Sequence, residues 1–486
     1  MRYDAVRHWW SALNPTAMVV VVAVVTGALH VMLYASQRGL YDQLTRRPAL
    51  ITWWLATAGL FATYAWIVNQ CRQPVRSSTF LAVATMTPLV LQLCWVFTAP
   101  VLSIDLYSYV ADSHSARSGL NPYTHAPRDW ENTPFGAELQ RYGWRPTHGV
   151  TPYGPLWLLL TTALDTTGRE LSDAIVIFKA FLVACNAICA LLIAGILREI
   201  RANAQLLGSM AFWWNPIAVE IAGEGHNDAV MAVLVLLGLW LTVRKRQHTV
   251  GALALTCAVL IKYVPAILVP PFIAYRWRTE PRTRLSGITL WSILSAMLCF
   301  LLFAPWWTGW QTFAGVFAGM ERKFSAGTSG VLFTMLSHML GPGPAASVTT
   351  LLLSGTLLVT IVVMSLRAIN DARLVEACAT ICLMYVLVAS PRFWPWYVIL
   401  PVALLCATGT RDALLMVAVL TFSARLIAPL NLVYRVNAID WPTAVWISTL
   451  VGVWVPVAWW SFSRICSTRH LSRRFSSCNR SSRASH

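Results

Sequence analysis

Residues 16–34, TAMVVVVAVVTGALHVMLY, run without a single Lys, Arg, Asp or Glu. As a helix rising about 1.5 Å per residue, the stretch is about 28 Å long, close to the ~30 Å hydrocarbon core of a bilayer. It is preceded by Arg2 and Arg7 and followed by no convincing small-residue cleavage site, so it reads as a retained first helix rather than a signal peptide. Similar runs recur at about 50–69, 79–101, 172–197, 206–222, 227–243, 285–304, 345–366, 373–390, 394–408, 412–429 and 442–461. Twelve full crossings are expected from these runs. The stretches 152–167, 249–262 and 263–275 are too short for comfortable spans and read as re-entrant or hairpin segments. The expected fold is an all-α polytopic membrane protein with about 12–14 transmembrane helices plus short re-entrant pieces.

Composition agrees. Of the 486 residues 57% are hydrophobic and only 12% are charged, roughly half of what a soluble chain carries. That balance excludes a soluble enzyme. The net charge of +17 raises the question of nucleic acid, but membrane proteins gather Lys and Arg in cytoplasmic loops. A cytoplasmic N-terminus places most of the cations inside, including Arg244, Lys245 and Arg246, then Arg276, Arg278, Arg282 and Arg284. The surplus therefore describes orientation, and no nucleic-acid partner is expected. Arg169, Lys179, Lys262 and Arg425 remain in or near the bilayer. No cysteine falls in an outer loop, so disulfides are not expected.

The chain divides into N-terminal helices over 1–101, an outer loop over 102–151 and a membrane core with re-entrant helices over 152–304. A second outer loop over 305–344, C-terminal helices over 345–463 and a basic, disordered cytoplasmic tail over 464–486 complete it. Most of the 24 tryptophans, including Trp394 and Trp396, read as interfacial belt residues.

Acids are scarce, with only 20 Asp and Glu in all, so their grouping is informative. In 103–123, SIDLYSYVADSHSARSGLNPY, a helix would put Asp105, Tyr109 and Asp112 on one face, and Asn121-Pro122-Tyr123 would end it in a turn. In 215–228, NPIAVEIAGEGHND, the residues Glu220, Glu224, His226, Asn227 and Asp228 collect at the outer junction of two apolar segments. Acids at the membrane rim are expensive and read as functional by default. Their spacing matches no zinc pattern, so no metal is assigned. Lys262, in IKYVP at the turn of an apolar hairpin, needs an anionic partner, for which phosphate is a natural candidate. Lys179 and Arg392 are further candidates for that role. Acids able to handle a hydroxyl and cations able to hold a phosphate thus fall toward one side. That suits transfer from a lipid-linked phosphate donor to an acceptor outside the cytoplasm.

The ordered set Asp105-Leu106-Tyr107-Ser108-Tyr109, Asn121-Pro122-Tyr123, Tyr153-Gly154-Pro155-Leu156, Asn215-Pro216, Gly225-His226-Asn227-Asp228, Lys262 followed by Pro265, and Pro395-Trp396-Tyr397 resembles the bacterial polyprenol-phosphomannose-dependent α-1,6-mannosyltransferases. These are multipass enzymes of the GT-C glycosyltransferase class. The resemblance implies a GT-C fold, an extracytoplasmic active site in the plasma membrane, a polyprenyl-phosphate mannose donor and a glycan or glycolipid acceptor, and the charge distribution implies cytoplasmic termini. It implies no cofactor, a catalytic base at Asp105 and a cavity lined around Gly225 to Asp228. Tyr109, Asp112, Asn121, Tyr123, Tyr153, Glu220, Glu224, His226, Asn227 and Asp228 stand as substrate-binding candidates, and Lys262, Lys179 and Arg392 as donor-phosphate candidates. Asp112 and the following Ser113-His114-Ser115 depart from the Gln or Gly-Arg usual in that family. A lipid-sugar flippase and an O-antigen-type polymerase or ligase are the competing readings, since both would be multipass and handle a lipid-linked glycan.

Overall fold

A computed structural model describes residues 15–40, 43–72, 77–100, 102–145, 149–165, 170–321, 326–435 and 439–462. The basic tail over 464–486 and Arg169 lie outside the described residues. Within them the chain is helical, with a lone bridge between Thr308 and Trp310 in place of any strand. In order the helices that matter here are α1 (Pro15–Gly39), α2 (Arg46–Gln70), α3 (Ser78–Val96), α4 (Asp105–Arg117), α5 (Pro155–Asp165), α6 (Leu171–Ile200), α7 (Gln205–Trp213), α8 (Pro216–Glu224), α9 (Asp228–Val243), α10 (His248–Ile261) and α11 (Val269–Thr279). They are followed by α12 (Arg284–Phe303), α13 (Thr328–Leu340), α14 (Pro342–Arg367), α15 (Asp371–Met384), α16 (Ile399–Thr408), α17 (Arg411–Arg435) and α18 (Trp441–Thr449).

Among the described residues nine helices are long and apolar enough to cross a membrane, and each coincides with one of the twelve apolar runs. The other three runs become shorter elements. The run 206–222 is broken between α7 and α8, where Pro216 has no N–H to continue the ladder and Asn215 Oδ1 accepts the Ile217 N–H at 3.1 Å. The run 227–243 forms the 16-residue α9, and 394–408 forms a 3₁₀ turn, Pro395–Val398, that leads into α16. Apolarity alone does not register such breaks, because a capped turn and a helix can be equally greasy. The three short stretches expected to be re-entrant do form short helices: α5, α10, and the turn Val264–Leu268 with α11. Part of the expected loop 305–344 is also helical, as Ala314–Glu321 and α13.

The lipid-facing elements are plain from exposure. α12 and α14 bury little of their length, leaving Phe300 72% and Leu351 74% exposed, which only a hydrocarbon environment tolerates across whole helices. The interior is organised around α6, α9, α16 and α17. Within it Arg425 on α17 forms an ion pair with Glu220 on α8, and its guanidinium carbon lies 4.5 Å from the Trp53 ring centre on α2. Both charges are almost wholly buried, so the pair ties three helices together at a depth where either charge alone would be very costly.

Candidate active site

Three helix ends and one 3₁₀ turn converge on the site, and each charge sits at the helix terminus whose dipole suits it. Asp105 is the first residue of α4 and Asp228 the first of α9, where unpaired N–H groups favour a carboxylate. Lys262 caps the C-terminus of α10, where carbonyls favour a cation. The chain reaches Asp228 by reversing at Gly225, whose φ of 81° is left-handed; a side chain there would also strike Leu106, so the start of α4 rests on this turn. A second glycine seats α5 on the end of α10. Gly154 donates its N–H to Ile261 O at 3.0 Å, and an added Cβ would lie 2.0 Å from Leu260 O.

These contacts produce a short chain of groups. Asp105 Oδ2 lies 3.5 Å from His226 Nδ1. Two residues on, Asp228 Oδ1 accepts a hydrogen bond from Lys262 Nζ at 2.9 Å. The two outer members are the accessible ones: Asp105 and Lys262 side chains are 20% and 18% exposed, against 1% for His226 and 3% for Asp228. One stretch, Pro395–Val398, braces both ends. Trp396 stacks on His226 with ring centres 4.1 Å apart, and Tyr397 receives the Lys262 ammonium on its face at 4.9 Å. Trp394 stacks parallel to Trp396 at 5.3 Å. Arg392 is half-buried in the same stretch and within electrostatic reach of Tyr397. Trp396, read from composition as an interfacial belt residue, thus packs with Tyr397 against His226 and Lys262; the signal available was the Pro395-Trp396-Tyr397 motif.

A set of phenols borders the site. Tyr109 OH donates to Tyr153 OH at 3.3 Å, and Tyr123 OH and Tyr263 OH both point to Tyr153 O, at 3.0 and 3.4 Å. Burial, then the neighbouring phenol and Asp105, hold the Tyr109 hydroxyl well above the usual phenol range, so it acts as a hydrogen-bond donor and not as a base. Asn121 shapes the loop beside them: its Oδ1 accepts the Tyr123 N–H at 3.0 Å, and its Nδ2 reaches Trp306 O at 2.9 Å. Asn227 is fully buried beside His226, and neither polar atom of its side chain has a hydrogen-bond partner among the described residues. Among the described residues no group of three His, Cys, Asp or Glu side chains gathers closely enough to hold a metal ion.

Four sequence candidates have other employment. Lys179, fully buried in α6, donates to Trp95 O at 2.6 Å and also to Thr98 O, so its ammonium caps the end of α3 and is not presented to a phosphate. Glu224 accepts the Leu102 and Ser103 N–H groups at 2.9 and 3.2 Å. Glu220 lines a narrow cavity of about 20 Å³ with Glu224, His226 and Trp396, but its carboxylate is paired with Arg425. Asp112 points inward from α4, 3% exposed, and takes a hydrogen bond from Thr151.

Burial pushes the Asp112 carboxyl well above the usual carboxylate range, against the smaller opposing effect of Thr151. A carboxyl whose folded pKa is raised stabilises the fold fully only below its unfolded value, and that contribution is lost as pH rises toward the folded pKa. Asp112→Asn is therefore expected to raise Tm at pH 7.5 and to leave it unchanged near pH ~3, below the free Asp pKa, where both side chains are neutral. Thermal melts of the detergent-solubilised protein at the two pH values check this; no gain at pH 7.5 would mean that Asp112 is ionised and satisfied in the fold.

Comparisons with known proteins identify the family to which the chain is similar. A family model described as "Alpha-(1->6)-mannopyranosyltransferase, N-terminal domain" matches residues 10–279, a segment that includes Asp105, His226, Asp228 and Lys262. The chain is 31% identical over 180 residues to alpha-(1->6)-mannopyranosyltransferase A of Corynebacterium glutamicum, covering 36% of this chain and 35% of that protein. It is 24% identical over 327 residues to alpha-(1->6)-mannopyranosyltransferase A of Mycobacterium tuberculosis, covering 63% of this chain and 62% of that protein. The chain thus spans less than two thirds of the length of either relative. Because the family model spans more than half of its residues, the chain belongs to the alpha-(1->6)-mannopyranosyltransferase MptA/B family.

Proposed function

We propose that this protein transfers a mannosyl residue from a polyprenyl-phosphate donor to a hydroxyl of a glycan or glycolipid acceptor, with inversion, on the extracytoplasmic face of the membrane. The observation that carries the reading is that one partly open carboxylate, Asp105, and one partly open ammonium, Lys262, stand against His226 and Asp228, two buried residues of the same turn. An alcohol is a poor nucleophile at neutral pH, so a carboxylate that can take its proton is needed at the acceptor side. As the acceptor oxygen forms its bond to the anomeric carbon, the bond from that carbon to the phosphate oxygen breaks, and polyprenyl phosphate leaves carrying the electron pair. The leaving group is already an anion, so it needs neutralisation and not a proton. Asp228 occupies one of the three Lys262 donors, which leaves the others for phosphate oxygens.

Sidedness follows from α9. The site is at its Asp228 end, and Arg244, Lys245 and Arg246 follow its other end, about 24 Å away for 16 residues. Basic clusters favour the cytoplasmic side, which supports an extracytoplasmic site. Membership of a mannosyltransferase family favours this reading over a flippase or a polymerase. The test is incubation of the purified protein with polyprenyl-phosphate mannose, and separately with the glucose and arabinose analogues, followed by mass spectrometry of an oligomannoside acceptor. Extension by one hexose from the mannose donor is expected; no transfer from any of the three would overturn the assignment.

A further inference from the structure

Asp105 is delivered to the site by the segment that leaves α3, and that segment is held from both sides by buried charge. Lys179 on α6 takes the carbonyls of Trp95 and Thr98. Glu224 Oε2, at the end of α8, takes the N–H groups of Leu102 and Ser103 at 2.9 and 3.2 Å. The next link is Ser103 Oγ, which accepts the Asp105 N–H at 3.1 Å and so starts α4. Lys179 and Glu224 are both nearly fully buried and lie within electrostatic reach of each other. Glu224 stands at the helix end where a negative charge is disfavoured by the dipole, in a membrane protein where buried acids are costly. Its two amide contacts, 121 and 122 residues away in sequence, are what compensates it there.

We infer that Lys179 and Glu224 are positioning residues, a buried pair of opposite charges that fixes the backbone at Trp95, Thr98, Leu102 and Ser103 and thereby the reach of the Asp105 carboxylate. This rests on Asp105 being the base. The two differ from substrate contacts in what they should change: the position of Asp105, and not the affinity for donor. A displacement of about 1 Å at a reacting group costs roughly 10²-fold in rate.

The experiment compares Glu224→Ala, Glu224→Gln, Asp105→Asn and the Asp105→Asn/Glu224→Ala double variant in steady-state transfer from polyprenyl-phosphate mannose, alongside hydrogen–deuterium exchange of the peptide covering 99–106. Glu224→Ala is expected to lower kcat roughly 10- to 100-fold with the donor KM within about twofold, and to speed exchange in that peptide. Glu224→Gln keeps an oxygen that accepts both N–H groups and is expected to restore kcat to within about threefold, which also covers the case in which the alanine variant does not fold. The double variant should be no slower than Asp105→Asn alone, because a misplaced base that is already absent costs nothing more. Wild-type kcat and exchange in Glu224→Ala, a raised donor KM at unchanged kcat, or multiplicative losses in the double variant would each overturn the inference. The exchange arm needs no substrate: accelerated exchange with no turnover by the wild-type protein would refute the donor assignment and leave the clamp standing as a backbone feature only.

Discussion

Asp105→Asn should lower kcat for mannosyl transfer by roughly 10² to 10⁴, the range attributed to general-base help, while the protein folds and inserts as before. The expectation is specific because the substitution is nearly isosteric and the side chain is partly open, with His226 Nδ1 3.5 Å away. Asparagine retains the shape and most of the contact, but it has no lone pair basic enough to take the acceptor proton. Donor binding should be unaffected, since the phosphate end of the site lies with Lys262. The measurement is kcat and donor KM in the same transfer assay, with a melt to establish folding. Wild-type turnover by a folded Asp105→Asn protein would remove Asp105 from the role and return the base to His226 or Asp228.

Lys262→Met should act at the other end, raising the donor KM by roughly 10- to 150-fold, the equivalent of losing about 1.5–3 kcal/mol of charge-assisted hydrogen bonding. It has a second consequence that must be separated from the first. Asp228 is 3% exposed, and Lys262 is its ion-pair partner, so the single variant strands a carboxylate. Breaking such a pair from one side costs about 3–5 kcal/mol of stability. The Asp228→Asn/Lys262→Met double variant removes both charges and should recover most of that stability without recovering donor affinity. A donor KM unchanged in both the single and the double variant would show that Arg392 or another group holds the phosphate. Recovery of both properties together would mean that the pair is structural.

The two variants divide the site as the geometry does. Asp105 stands against His226 and Lys262 against Asp228, and the two pairs are braced by neighbouring rings, Trp396 on His226 and Tyr397 under Lys262. A loss in kcat alone and a loss in KM alone are therefore separable results.

Much of this was legible in the residues. Apolar runs near bilayer length determine an all-helical membrane protein, because a backbone in hydrocarbon must satisfy its own hydrogen bonds. The scarcity of acids singled out Asp105 and the 220–228 group, and the apolar surroundings of Lys262 marked it as needing an anion. The tertiary structure decided which of those charges are partly open and which are taken up by buried partners. Glu224 and Lys179 turned out to hold main-chain atoms of one segment, Glu220 to pair with Arg425 about 200 residues along the chain, and Asp112 to be buried against Thr151. Periodicity records which face of a helix a side chain occupies, but not what stands opposite it. In a protein where nearly every face is apolar, that partner alone separates a catalytic charge from a structural one.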